Sequence, residues 1–409
     1  MSMRIGKLLL SMCGVLMVLF TVLAFLPAAG FCAEEAASKT LTIGCIAGLT
    51  GFSAGAERGV EQGSHLAVDY VNSKGGITIK GQKYVIDLVT EDHKSTTEGA
   101  AAAATKLVYD EKVKFIAGGV MPFTNVAINS VTEPEKVLHA AVWNIGTPTE
   151  YGPKTPDTFV TMNGAIEGIE TMLTYLSQAH KEIKTIAVLH PDDGSVPYIQ
   201  PHLITIAKEH GIKLAGEIIP FANDTVDFTT VVKKALARNP DSIGITAGWP
   251  AMTAAVLKIA RHAGYTRPIW CSTYQSAEEA LKIGGKDVSN LFYQHGIVAD
   301  DPQNAPIVKD ILRMSKAKYG EQPIYYTSLG FDNVWMLIQA IEAAQSTDPT
   351  EVRNKWEKIS TMKSVWGGVA HIGGMKTYGI GHTMTHPIPI IGLMNGSVKV
   401  MKWMDITAP

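Results

Sequence analysis

From residue 40 onward the chain alternates short apolar runs with stretches of helical periodicity. Residues 41–47 are apolar enough to form a strand buried on both faces. Residues 57–74 then place Val60, Ser64, Ala67 and Val71 on one helical face and stop at Gly75-Gly76, the residue type that most easily ends a helix. The same alternation predicts strands at 84–89, 114–117 and 138–142, with helices at 97–109 and 125–135. After a non-periodic bridge, 147–163, the pattern restarts. It predicts helices at 165–180, 201–210, 228–238 and 251–263, and strands at 185–189, 213–219, 242–246 and 268–271. Residues 304–345 again read as helical, and 366–403 as short strands broken by glycines. Strands alternating with helices call for a parallel sheet covered on both faces. The restart predicts two such units, an α/β protein of two doubly wound parallel-sheet lobes. Ligands of open parallel sheets bind beyond the carboxyl ends of the strands, so the loops to watch are 48–57, 118–125, 143–149, 190–198, 247–250 and 272–277.

The first 33 residues follow another pattern. Arg4 and Lys7 precede an almost unbroken apolar run, 8–26, and Pro27-Ala28-Ala29-Gly30 supplies small residues before Glu34-Glu35. This is the layout of a secretory signal peptide. It places the mature protein in the periplasm, with a lipid-anchored form at Cys32 and an uncleaved anchor as the alternatives. Beyond residue 33 no apolar stretch approaches the ~18 residues of a membrane span. Hydrophobic residues make up 46% of the chain and charged ones 18%, at a formal charge of −2. That is the composition of a folded globular protein without the basic footprint of a nucleic-acid binder. Cys45 and Cys271 lie in apolar strand-like runs of different halves, which favours buried free thiols over a disulfide.

The loops also carry a recognisable order of motifs. Ile43-Gly44, Gly48-Leu49-Thr50-Gly51, Gly63-x-x-x-Ala67-Val68-Asp69-x-Val71-Asn72 and Gly75-Gly76-Ile77 open it. Glu91-Asp92, Ile116-Ala117-Gly118-Gly119, Ile186–Leu189, Trp249-Pro250-Ala251-Met252 and Gly330-Phe331-Asp332-Asn333 continue it. Over essentially the whole mature chain this resembles the type I periplasmic binding proteins of ABC transporters, in the branch of the leucine/isoleucine/valine receptors. The resemblance implies two lobes joined by three crossovers, residues 40–160 plus 297–381 and residues 161–296 plus 382–409, closing on a ligand by hinge motion. It implies a monomer that delivers a small molecule to an inner-membrane ABC permease, with no enzymatic activity.

Amino-acid receptors of that family hold the ligand carboxylate with a hydroxyl after the third strand, where Thr124 stands here, and with a small-x-Thr turn after the fourth. They hold the ammonium with an acidic residue after the strand that ends here at Cys271. This chain instead has Trp143-Asn144-Ile145 in the fourth-strand turn and Ser272-Thr273-Tyr274 at the acidic position. A buried ammonium without a counter-charge is costly, which argues against an α-amino acid. The candidate ligand residues are Phe52, Phe123, Thr124, Trp143, Asn144, Ser195, Tyr198, Trp249, Thr273, Tyr274 and Tyr325. A neutral aromatic set suits a flat or apolar body with one polar end, and an aromatic or short-chain carboxylate held at Thr124 is the expected ligand. Glu57 reads as a complement to the positive end of its helix, and Arg58 as solvated surface.

Other chemistry is weak. His382-x-x-x-His386 has the spacing of a helical metal pair, but Gly379, Gly381 and Pro387 argue against a helix there. His190-Pro191-Asp192-Asp193 reads as a decorated strand end. No H-E-x-x-H or strand-linked G-x-G-x-x-G occurs, so no cofactor or metal is expected. The rivals are a sensory receptor of the same fold and a hydrolase on a doubly wound fold.

Overall fold

The computed structural model describes residues 38–285, 290–320 and 324–405. The candidate export segment, 1–33, lies outside them. The chain starts with β1 (Lys39–Ala47), α1 (Ala54–Ser73), β2 (Ile77–Ile79), β3 (Gln82–Asp92) and α2 (Thr97–Thr105, continued by a π-helical turn to Asp110). It goes on through β4 (Phe115–Gly118), α3 (Pro122–Thr132), β5 (Leu138–Ala141) and β6 (Thr158–Val160). The next stretch holds α4 (Ala165–Ala179), β7 (Thr185–Pro191), α5 (Val196–Glu209), β8 (Lys213–Leu214), β9 (Ile219–Phe221) and α6 (Thr229–Leu236). It ends with β10 (Ser242–Ile245), α7 (Pro250–His262), β11 (Ile269–Tyr274), α8 (Ala277–Gly284) and β12 (Phe292–His295). Last come α9 (Ile307–Tyr319), α10 (Ile324–Ala344), α11 (Pro349–Trp356), β13 (Thr361–Lys363), β14 (Val369–Gly373), α12 (Met375–Tyr378), β15 (Thr383–Thr385), β16 (Ile388–Met394) and β17 (Ser397–Met404).

These strands form two sheets. The first runs β13-β14-β15-β6-β5-β4-β1-β3-β2, the second β17-β16-β12-β11-β10-β7-β8, with β9 also on β7. The cores β3-β1-β4-β5-β6 and β7-β10-β11-β12 are parallel and are extended in parallel by β15 and β8, while β2 and β16 join them antiparallel. Burial on both faces explains the continuous apolar runs: Ile43–Ala47 of β1 is wholly buried, as a parallel strand between helix layers must be. In the first sheet, Leu41, Ile43 and Phe115 pack toward α1 and α10, while Ile46 and Ile116 pack toward Leu107 and Ile128. In the second, Val188 and Trp270 pack toward α4 and α5, while Leu189 and Ile245 pack toward α6 and α7.

The Gly75-Gly76 stop is a Schellman turn. The Gly75 N–H donates to Asn72 O at 2.9 Å and the Gly76 N–H to Val71 O at 3.1 Å. Both glycines hold positive φ, +93° and +77°, the left-handed region this ending requires.

The chain changes sheet three times: between β6 and α4, between β12 and α9, and between β15 and β16. The last change comes later than the sequence reading set it, because Thr383–Thr385 still pairs with β14 and β6 of the first sheet. His386-Pro387 makes the crossing. Asn163 on the first crossing ties it down: its Oδ1 accepts from His386 N at 3.0 Å and its Nδ2 donates to His386 O at 3.3 Å.

Other differences are local. Helix α5 begins at Val196, not Pro201, so Pro201 lies inside it. The expected strand 213–219 breaks into β8 and β9, both on β7. Cys45 and Cys271 are free and buried. Among the described residues no helix is long and apolar enough to cross a membrane, and no cluster of three or more potential metal ligands occurs. His382 instead stacks on Phe159 with ring centroids 3.9 Å apart, and His386 stacks on Trp366.

Candidate ligand-binding site between the lobes

Loops at the carboxyl ends of both sheets enclose a cavity of about 160 Å³. The first lobe contributes Phe52, Glu57 and Val60, then Val120 to Phe123, Trp143, Tyr325 and Tyr326; the second contributes Pro191, Asp193, Asn223, Ala247 to Trp249, Thr273 and Tyr274. The wall is mainly aromatic and aliphatic.

Two X-Pro steps set matching corners of it. Pro122 and Pro250 stand at the first turn of α3 and α7, where a fixed φ and a missing N–H are no handicap. Each ring forces the preceding residue out of the helical region. Met121 (φ −96°, ψ 141°) and Trp249 (φ −131°, ψ 161°) are accordingly extended. One faces the cavity from each lobe. Thr273 fixes the Trp249 corner, its hydroxyl accepting from the Gly248 N–H at 2.9 Å.

Of the eleven candidates, Phe52, Phe123, Trp143, Trp249, Thr273, Tyr274 and Tyr325 line this cavity. Thr124, Asn144, Ser195 and Tyr198 do not. Thr124 is fully buried, and its hydroxyl donates to Met121 O at 2.7 Å, closing the first turn of its own helix. Asn144 is buried beneath the loop, where its carbonyl accepts from Ala165 N. The Ser195 hydroxyl lies 2.7 Å from His190 Nε2 and donates to Asp193 Oδ1 at 2.5 Å. This is not a nucleophile triad: the carboxylate sits on the serine, and the far imidazole nitrogen meets Thr246 Oγ1 at 2.7 Å. Tyr198 packs its ring against His202 instead. The carboxylate site expected at Thr124 is therefore absent from the wall. Among the described residues no lysine or arginine lines the cavity; Arg58 holds the Leu49 carbonyl at 3.0 Å.

Among the described residues, three buried polar atoms on the wall have no protein partner: Glu57 Oε1, Tyr274 Oη and Tyr325 Oη. Burial pushes both phenols well above their usual range, so they remain protonated. Glu57 was read from sequence as a helix-end residue only. The signal for more was its place one turn before Val60, on the same apolar face as Ser64, Ala67 and Val71. Met121 could have been found through the X-Pro rule. Tyr326 and Asn223 carried no comparable sign.

Behind the wall, buried carboxyls hold the loops. Glu150 accepts from Ile145 N and Gly146 N at 3.1 Å and from Asn125 Nδ2 at 3.0 Å, which fixes the loop carrying Trp143. Asp332 accepts from Ser364 Oγ at 2.7 Å and Val365 N at 2.9 Å. It thereby places Trp366, whose ring lies edge-on to Tyr274 and Tyr325. Burial pushes Asp332 up to about 7, against the hydrogen bonds from Ser364 and Val365.

A carboxyl raised on folding binds more protons in the native state than in the unfolded one between its two pKa values. Its contribution to stability is thus full below about 4, its unfolded value, and is lost as pH rises toward 7. Acidification from pH 8 to 6 should stabilise the protein through this group by about 1 kcal/mol. Asp332→Asn should remove that share, read as a smaller rise of Tm between the two pH values.

Two doubly wound lobes with one aromatic-walled cavity across their facing loops define a two-lobed receptor for a small solute. The chain belongs to the periplasmic binding protein family, whose model matches residues 40–396; this is a family of solute-binding proteins, not enzymes. It is 27% identical over 335 residues to a Leu/Ile/Val-binding protein homologue of Brucella melitensis, covering 81% of this chain and 86% of that protein. Among solved structures, it matches the branched-chain amino acid transporter substrate-binding protein of Streptococcus pneumoniae in complex with isoleucine. That match has a TM-score of 0.72 at 20% identity and covers 90% of this chain and 100% of the other. A solute-binding protein of R. palustris in complex with benzoate matches at TM-score 0.72 and 16% identity, over 90% and 98% of the two chains. The architecture is the type I periplasmic binding fold.

Proposed function

We propose that this chain is the substrate-binding receptor of an ABC-type importer, exported to the periplasm, where it takes up a small solute with an apolar body and presents it to a membrane permease. The observation that carries this reading is the cavity itself, walled by both lobes at the carboxyl ends of two parallel sheets. Its volume of about 160 Å³ is close to that of an apolar cavity, ~150 Å³, that accepts benzene. One aromatic ring or a short branched chain fits that space. Similar structures hold isoleucine and benzoate, solutes with one branched chain and one ring.

The chain crosses between the two sheets three times, and a solute touching Phe123 on one lobe and Trp249 on the other favours the closed arrangement. It shifts that equilibrium by no more than its differential affinity for the two states. A thermal-shift panel of small aromatic and branched amines, amides, carboxylates and amino acids identifies the probe. At about 100 times its Kd it should add about 2.7 kcal/mol of stability. Solution scattering should then give a smaller radius of gyration with the probe than without. An unchanged radius at saturation would remove the hinge mechanism and, with it, the transport reading.

A further inference from the structure

We propose that Glu57 is the ligand-binding residue for the polar end of the solute, and that this end is an N–H donor, a protonated amine in first place. The proposal rests on the reading of the cavity as the solute site.

Glu57 is 0% exposed and belongs to the cavity wall. Its two oxygens are treated differently. Oε2 accepts from the Gly48 N–H at 2.9 Å and meets His93 Nε2 at 2.7 Å. The direction of the second bond is fixed from behind: the Ser95 N–H donates to His93 Nδ1 at 3.0 Å, so the ring proton sits on Nε2 and is given to Glu57. Ser95 in turn donates its hydroxyl to Thr50 O at 2.8 Å. One side of the carboxylate is thus clamped by a network reaching into the loops after β1 and β3. The other oxygen, Oε1, has no partner among the described residues.

A buried carboxylate oxygen left without a donor is costly, and native structures rarely leave one. Here the orphan belongs to a side chain whose other half is held rigidly, an arrangement suited to an incoming donor. The rest of the wall agrees in sign. Its acidic side chains are Glu57 and Asp193, and among the described residues no lysine or arginine lines it to receive an anion. The unpartnered phenols of Tyr274 and Tyr325 can donate or accept, so Glu57 decides the polarity of the head group. The aromatic faces around it favour a cation over an anion as well.

The test compares probes that share a body and differ in head group: benzylamine against benzoate, and isobutylamine against isobutyrate, by thermal shift and calorimetry on the mature protein. At least one amine should bind, with its matched carboxylate roughly 10- to 100-fold weaker, the range for a hydrogen bond to a charged group. Glu57→Gln keeps a carbonyl oxygen for Gly48 and His93 and turns an NH₂ toward the cavity. It should weaken the amine by a similar factor and narrow or reverse the preference. If a carboxylate binds the wild-type protein more tightly than its amine, the proposal is overturned. The cleft reading survives that result provided binding still depends on Trp249. If neither series binds in a Trp249-dependent way, both readings fall together.

Discussion

Gly330→Ala will lower the stability of the first lobe by about 3 kcal/mol, the upper part of the usual range for overpacking. Helices α1 and α10 cross so closely that a Cβ on Gly330 would stand 1.8 Å from Val60 O, and one on Gly63 would stand 2.0 Å from Thr327 O. Both obstacles are backbone carbonyls, which cannot rotate away as a side-chain end can. The helices must therefore separate, disturbing the hydrophobic core they share under the first sheet. The helix propensity gained on replacing glycine, ~1 kcal/mol, offsets only part of this. Urea unfolding should show a lower midpoint at an unchanged slope. Because α1 carries Glu57 and α10 carries Tyr325, the same variant should bind the solute more weakly. Gly55 is the control: a Cβ there meets nothing within 4 Å, so Gly55→Ala should be neutral or slightly stabilising. Equal behaviour of the two variants would refute the close-crossing account.

The second large effect is on binding. Trp249→Ala should weaken the best probe by about 2 kcal/mol, roughly 30-fold, the scale of a central aromatic contact. Trp249 is 38% exposed and stands at the first corner of α7, where Pro250 keeps it extended. Removing it therefore leaves the core of the second lobe in place, and melting without a probe should change little. Calorimetry on the variant gives the loss directly. Tryptophan fluorescence should respond to the probe in the wild-type protein, through Trp143 as well as Trp249. An unchanged affinity would make Trp249 a surface residue and leave the second lobe without its main contact.

Much of the architecture was legible because parallel strands buried on both faces have to be apolar. The runs at 41–47, 185–189 and 242–246 could be little else, and the helices between them show their buried faces at helical spacing. The family motifs proved to have physical content. Gly63 and Gly330 mark the helix crossing, Gly75-Gly76 the Schellman turn, and Asn333 Oδ1 accepts from the Gly118 N–H at 3.0 Å. The elements missed are those without a pattern of their own. Strand β6 is three residues long and lies in a stretch that read as a bridge. Strand β12 ends in Gln294-His295, both buried through partners far along the chain. Helix α11 spans eight residues with only Pro349, Val352 and Trp356 buried.

The same distinction runs through the site. The sequence alone determined two doubly wound lobes, the loops where a ligand could sit, and the aromatic character of those loops. These follow from local rules: strand periodicity, helix stops, and the extended residue before proline. Which side chains point inward was decided only by the tertiary structure. Thr124 and Ser195 have the right chemistry in the right loops, yet their hydroxyls are used by Met121, His190 and Asp193. Glu57 looked like a helix-end residue, but His93, 36 residues away, claims one of its oxygens and leaves the other without a partner among the described residues. A polar group's role depends on which donors and acceptors the fold brings to it. Met121, His190 and Asp193 are near neighbours in the chain and His93 follows β3 of the same lobe; the path of each loop, and no residue pattern, brings these groups together.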